Sequence, residues 1–223
     1  MLSDGRSFCL PLTAICLVLS VFPAFSQQVR VTEDQPEVRI ETSGEPWIIT
    51  RDQDQTAVIT GEYARIARAC PPDCVLPMVP IPGIAPYGEV EVITFLQEVA
   101  ATGGGALIDA RTPEVFAQGS IPGAVNVPHA TLSATNPFRN DILVALGARP
   151  IGGNDFDYSD VIDLVVFGDG PWSDSAVRAL RSLQGAGYPS EKLKFYRGGM
   201  QDWMMLGLTV SQPGGVGEAG GKP

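Results

Sequence analysis

Between residues 88 and 210 short apolar runs alternate with stretches of helical character, and this alternation constrains the fold more than any other feature. Residues 106–109 (ALID), 124–127 (AVNV), 164–167 (LVVF) and 194–196 (KFY) are the runs. Val90, Ile93, Leu96 and Val99 recur every three residues, which predicts a helix over 88–101. Pro113 opens a short helix over 113–118, a second spans 136–146 ahead of a Gly/Asp-rich loop, and Val177, Leu180 and Leu183 mark a third. Residues 200–206 form the last. Strands this short and continuously apolar, separated by helices, belong to a parallel sheet covered on both faces. A ligand site then lies at the carboxyl ends of the strands.

The flanks read differently. Residues 37–41 (EVRIE), 47–50 (WIIT) and 56–60 (TAVIT) are β-like runs in a small N-terminal segment, residues 27–69. Residues 70–87 hold Pro71, Pro72, Pro77, Pro80, Pro82 and Pro86, and form a connector that disfavours helix. Residues 211–223 end in PGGVGEAGGKP, with too little apolar content to offset ordering, so a mobile tail is expected.

Residues 1–26 carry one early basic residue, an apolar run from Phe8 to Phe25, and Ala24 and Ser26 at export-cleavage spacing. They predict a signal peptide cut before Gln27 and a periplasmic or secreted chain with no membrane attachment after cleavage. An uncleaved anchor is the rival reading, since about 18 apolar residues is the lower limit for a span. Cleavage removes Cys9 and Cys16 and leaves Cys70 and Cys74 in an oxidising compartment. These two are expected to pair as a structural disulfide, with a redox pair as the alternative. His129 is the only histidine, and two thiolates alone do not complete a zinc site. The formal charge of −10 gives no footprint for phosphate backbones, so nucleic acid is not a partner class.

Two ordered motifs sharpen the reading. The first is DARTPE from Asp109 to Glu114, followed by GSIPGAVNVP from Gly119 to Pro128. The second is YRGGMQDW from Tyr196 to Trp203, ending at Gly207-Leu208. Together they resemble the opening and closing signatures of rhodanese-like domains over about residues 88–210. The resemblance implies an α/β fold, a parallel five-stranded sheet with helices on both faces, preceded by the small N-terminal β segment. It implies that Asp109 and Arg111 brace the active end of the sheet, and that Gly119, Pro122, Gly123, Gly198 and Gly199 shape turns. Ser120 stands where many relatives carry histidine. The front of the chain with CPPDC also resembles exported bacterial proteins of this type.

An active member of the family carries a cysteine directly after the third of the runs, where backbone N–H groups and a helix N-terminus hold a thiolate and then a persulfide. This chain continues from Phe167 with Gly168, Asp169, Gly170, Pro171, Trp172, Ser173, Asp174 and Ser175. Glycine cannot carry sulfur. Ser173 or Ser175 would need a base, and His129 follows a different strand. Asp169 and Asp174 would repel a bound anion such as thiosulfate by about 1 to 3 kcal/mol each. Asp174 is alternatively a helix cap, and Asp169-Gly170 a turn. Trp172 is expected to pack the loop against the sheet rather than to recognise a ligand, and two aspartates are too few for a calcium loop.

The expected function is that of an exported rhodanese-like protein without thiosulfate sulfurtransferase activity, acting as a binding or scaffold module for a periplasmic protein or small ligand, with no cofactor. The alternative is a sulfurtransferase or thiol redox enzyme that uses Cys70 and Cys74. A third reading is a structural module whose β segment makes the contacts.

Overall fold

A computed structural model describes residues 28–42, 44–153 and 155–212. The expected signal peptide lies outside the described residues, as does the tail from 213 onward.

Five parallel strands form the central sheet in the order β3-β9-β8-β4-β5. These are β3 (Ala85–Tyr87), β4 (Gly105–Asp109), β5 (Val125–Asn126), β8 (Asp163–Phe167) and β9 (Leu193–Tyr196). In β8 the residues Leu164, Val165, Val166 and Phe167 are all buried, as a central strand covered on both faces requires. One face packs against α3 (Arg139–Ala145) and α4 (Ser175–Ala186). The other packs against α1 (Glu89–Glu98) and α5 (Gly199–Met205). The short α2 (Pro113–Phe116) opens with proline, as its sequence predicts.

The fifth strand comes from the proline-rich segment that the sequence marks as a connector. Ala85, Pro86 and Tyr87 pair with Lys194, Phe195 and Tyr196 at the sheet edge. Proline is admissible there because an edge strand leaves one row of its backbone groups unpaired. Two other expectations differ. Residues 56–60 form no strand, and Val58 is exposed. The Gly/Asp-rich loop after α3 contains an antiparallel hairpin, β6 (Arg149–Gly152) with β7 (Asp155–Asp157). Within α1 the buried stripe is Val92, Ile93, Phe95 and Leu96, whereas Val90 faces out.

The N-terminal segment builds a hairpin of β1 (Val38–Thr42) and β2 (Glu45–Ile49), paired from Val38 opposite Ile49 to Thr42 opposite Glu45. Alternation buries Val38 and Ile40 on one face, where with Ile49 they join the core of Val92, Leu96, Met200 and Trp203. Thr50 and Thr209 lock this hairpin to the chain beyond α5: Thr50 N–H donates to Thr209 Oγ1 at 2.9 Å, and Thr209 N–H to Thr50 O at 3.1 Å. Among the described residues, no helix is long and apolar enough to cross a membrane.

Candidate functional site

The carboxyl ends of β4, β8 and β9 meet at one rim, and the loop from Gly168 to Asp174 leaves it to enter α4. Its path is fixed from α5. Met200 N–H donates to Gly168 O at 3.1 Å and Gln201 N–H to Asp169 O at 2.9 Å. This approach requires glycine at position 199, where φ is +56° and a Cβ would lie 2.4 Å from Gly168 O and 2.8 Å from Gly170 N. Gly168 itself is buried, and a Cβ there would lie 2.3 Å from Ser175 Oγ, 3.5 Å from Ala176 N and 3.6 Å from Ser173 Oγ. The Ser175 hydroxyl thus fills the space that a side chain at 168 would enter.

Polar groups around the loop form one connected set. Ser173 Oγ donates to Asp169 Oδ2 at 3.0 Å and lies 3.2 Å from Ser175 Oγ. Beneath them is a buried ion pair: Arg111 Nη2 reaches Asp109 Oδ2 at 2.5 Å and Arg111 Nε reaches Asp109 Oδ1 at 2.9 Å. Ser120 Oγ donates to Asp109 Oδ2 at 2.7 Å, and Arg111 Nη2 donates to Gly119 O at 2.8 Å. Asp109 and Arg111 therefore brace the rim through each other and through the 119–120 turn. Burial works against the Arg111 charge, but Asp109 and Tyr63 outweigh it and hold the guanidinium pKa above its ordinary value.

A second segment lies over this loop. Residues 61–76, here called the strap, touch the loop at three places. The Tyr63 hydroxyl accepts from Arg111 Nη1 at 2.8 Å and donates to Asp169 Oδ1 at 3.3 Å, while Tyr63 O accepts from Gln201 Nε2 at 2.8 Å. The Arg68 guanidinium sits 3.5 Å from the centroid of the Trp172 ring. Leu76 N–H donates to Pro171 O at 2.8 Å, and Leu76 O accepts from Arg197 Nε at 2.8 Å. Burial pushes the Tyr63 phenol up to about 12; Arg111 opposes the shift and Asp169 adds to it. The sequence offered no periodic signal for these contacts, because Tyr63, Arg68 and Leu76 lie in an irregular segment.

Several expectations are corrected here. Trp172 is half-buried between the strap and α5, with its indole N–H donating to Gln201 Oε1 at 2.8 Å, rather than packed on the sheet. Asp174 makes no side-chain cap; its carboxylate accepts from Arg178 Nε at 2.8 Å on the exposed face of α4. Asp169 is thus the loop carboxylate that Tyr63 and Ser173 hold in place. The His129 ring lies 3.4 Å from Ala110 O, whereas Ser173 bonds to Asp169 and to Ser175. The hydrogen-bond acceptor of Ser173 is thus a carboxylate. Cys70 and Cys74 are joined as a disulfide within the strap, with their Cα atoms 4.6 Å apart. Among the described residues, no three His, Cys, Asp or Glu side chains converge in a way that would hold a metal ion.

Residues 94–206 match the rhodanese-like domain family. Among solved structures, the chain is similar to the BH2092 protein from Bacillus halodurans, at 17% identity over 58% of this chain and 77% of that one, with a TM-score of 0.43. It is similar to a rhodanese-related protein from Thermoplasma volcanium, at 15% identity over 58% of this chain and 98% of that one, TM-score 0.38. It is also similar to the human single-domain sulfurtransferase TSTD1, at 25% identity over 53% of this chain and 93% of that one, TM-score 0.38. No curated protein matches.

Proposed function

Because the chain belongs to the rhodanese-like domain family, which it matches over more than half of its length, we propose that it is an exported member without thiosulfate sulfurtransferase activity. In this reading the loop from Gly168 to Ser175 corresponds to the family's active-site loop and serves as a binding or scaffold surface for a periplasmic protein or small ligand. The observation that carries it is Gly168. Sulfur transfer needs a side chain that attacks sulfur and holds it covalently, and the residue directly after β8 has none. Ser175 Oγ fills the space beside it. The Asp169 carboxylate adds a charge that disfavours an incoming anion.

Transfer of sulfur from thiosulfate to cyanide tests the reading. The unmodified chain is expected to be silent. Gly168→Cys combined with Ser175→Ala, which clears the 2.3 Å contact, is expected to turn over thiosulfate. Turnover by the unmodified chain overturns the proposal.

A sulfurtransferase or redox enzyme using Cys70 and Cys74 is the second reading, favoured by the position of this pair in the strap over the loop. Against a sulfurtransferase of this kind, both sulfurs are held in a disulfide, so neither is a thiolate nucleophile in this state. Activity that Cys70→Ala abolishes would establish this reading in place of the first.

A further inference from the structure

The Cys70–Cys74 disulfide sits between the two anchors that hold the strap's second half. Arg68, two residues before Cys70, covers Trp172. Leu76, two residues after Cys74, bonds to Pro171 and Arg197. Between them the chain folds back on itself, with Asp73 N–H donating to Ala69 O at 2.9 Å and Cys74 N–H to Pro72 O at 3.0 Å. The covalent link and these two backbone bonds together set the spacing of both anchors. Arg68 is in turn bound to Glu62 through Nη1 at 2.5 Å and to Glu62 O through Nη2 at 2.7 Å, which ties that spacing back to the Tyr63 end. Cys70 is exposed and Cys74 half-buried, so the pair lies at the surface of the protein. Ile66 and Val75 flank the pair at 97% and 81% exposure, an apolar rim that nothing in the described chain covers.

We propose that Cys70–Cys74 is a thiol-exchange site for a dithiol reductant, and that its reduction releases the strap from the loop at 168–175. A thiolate of the dithiol attacks Cys70 Sγ, the S–S bond breaks, and Cys74 leaves as a thiolate that takes a proton from water. The second thiol of the reductant then attacks the mixed disulfide and expels Cys70. Two electrons pass to the cysteine pair, and the dithiol is oxidised to a disulfide. Once reduced, residues 70 and 74 are no longer held at 4.6 Å, and the anchors at Arg68 and Leu76 no longer share a fixed spacing. The Tyr63 hydrogen bonds, the Arg68 contact with Trp172 and the Leu76 bonds then act without a covalent link between them. In its consequence for ligand access the proposal rests on reading the loop as the ligand-facing site; the exchange and the release do not.

Hydrogen exchange on the full chain tests it, comparing the oxidised protein with protein equilibrated with dithiothreitol and with the Cys70→Ser/Cys74→Ser variant. Amides of the strap, Leu76 above all, are expected to exchange at least about tenfold faster after reduction, in line with the constraint a short disulfide loop imposes, while β8 stays unchanged. Equal strap exchange before and after reduction overturns the proposal. So does equal acceleration of β8, which would make the disulfide a staple of the whole fold, and so does a bond that dithiothreitol leaves intact in the folded chain. If the serine variant does not fold, the reductant series on the unmodified chain decides alone. Failure of the Gly168 reading would appear as thiosulfate turnover, a signal independent of strap exchange.

Discussion

Tyr63 joins the two segments through one hydroxyl, which accepts from Arg111 and donates to Asp169. Tyr63→Phe removes both bonds and leaves a largely buried guanidinium and a loop carboxylate each short of a partner. The expected loss is about 1 to 3 kcal/mol, read as a lower urea midpoint at unchanged slope. The pH dependence has a definite sign. An unfolded tyrosine titrates near 10 and folded Tyr63 near 12, so its neutral form is favoured by folding. Its contribution is complete below pH 10 and fades as pH rises toward 12. The Phe variant should therefore lose less stability than the parent across that window. Asp109 and Arg111 were legible through the resemblance of the DARTPE motif. Tyr63 was not, since the contact spans 48 residues to Arg111 and 106 to Asp169 and leaves no local pattern.

At the scale of elements, the loop between β8 and α4 and the turn between β9 and α5 are built as one unit. Gly199→Ala forces a Cβ to 2.4 Å from Gly168 O at a φ of +56°, so either the turn or the loop must move. A loss of about 1 to 3 kcal/mol is expected, seen as a lower Tm together with weakened protection of the Met200 and Gln201 amides. The apolar runs at 106–109 and 164–167 announced β4 and β8, since a strand buried on both faces needs such residues throughout. Residues 85–87 did not announce β3, because Pro86 argues against a strand unless its place at the edge is known. Residues 56–60 show the converse: β-branched residues without a partner edge form no strand.

For the whole molecule, the N-terminal hairpin is part of the main core. Val38, Ile40 and Ile49 are buried against the face that carries Leu96 and Trp203. Burying three such side chains is worth about 5 to 9 kcal/mol, comparable with the net stability of a domain. A chain shortened to begin at residue 80 is therefore expected to lose cooperative unfolding in calorimetry, although it retains the five strands of the sheet. The sequence marked the β-like runs at 37–41 and 47–50 and the sheet separately. It could not show that they share a core, because the pairing of Thr50 with Thr209 joins positions 159 residues apart.

The seat of Trp172 carries a further consequence. The chain has three tryptophans, and Trp203 is fully enclosed with its indole N–H fixed on Thr209 O. Trp172 instead lies under a cation that belongs to the strap, with its own N–H held by α5. Its excited state is therefore sensitive to whether arginine or water faces the ring. The protein contains its own optical indicator, at the point where one segment rests on another.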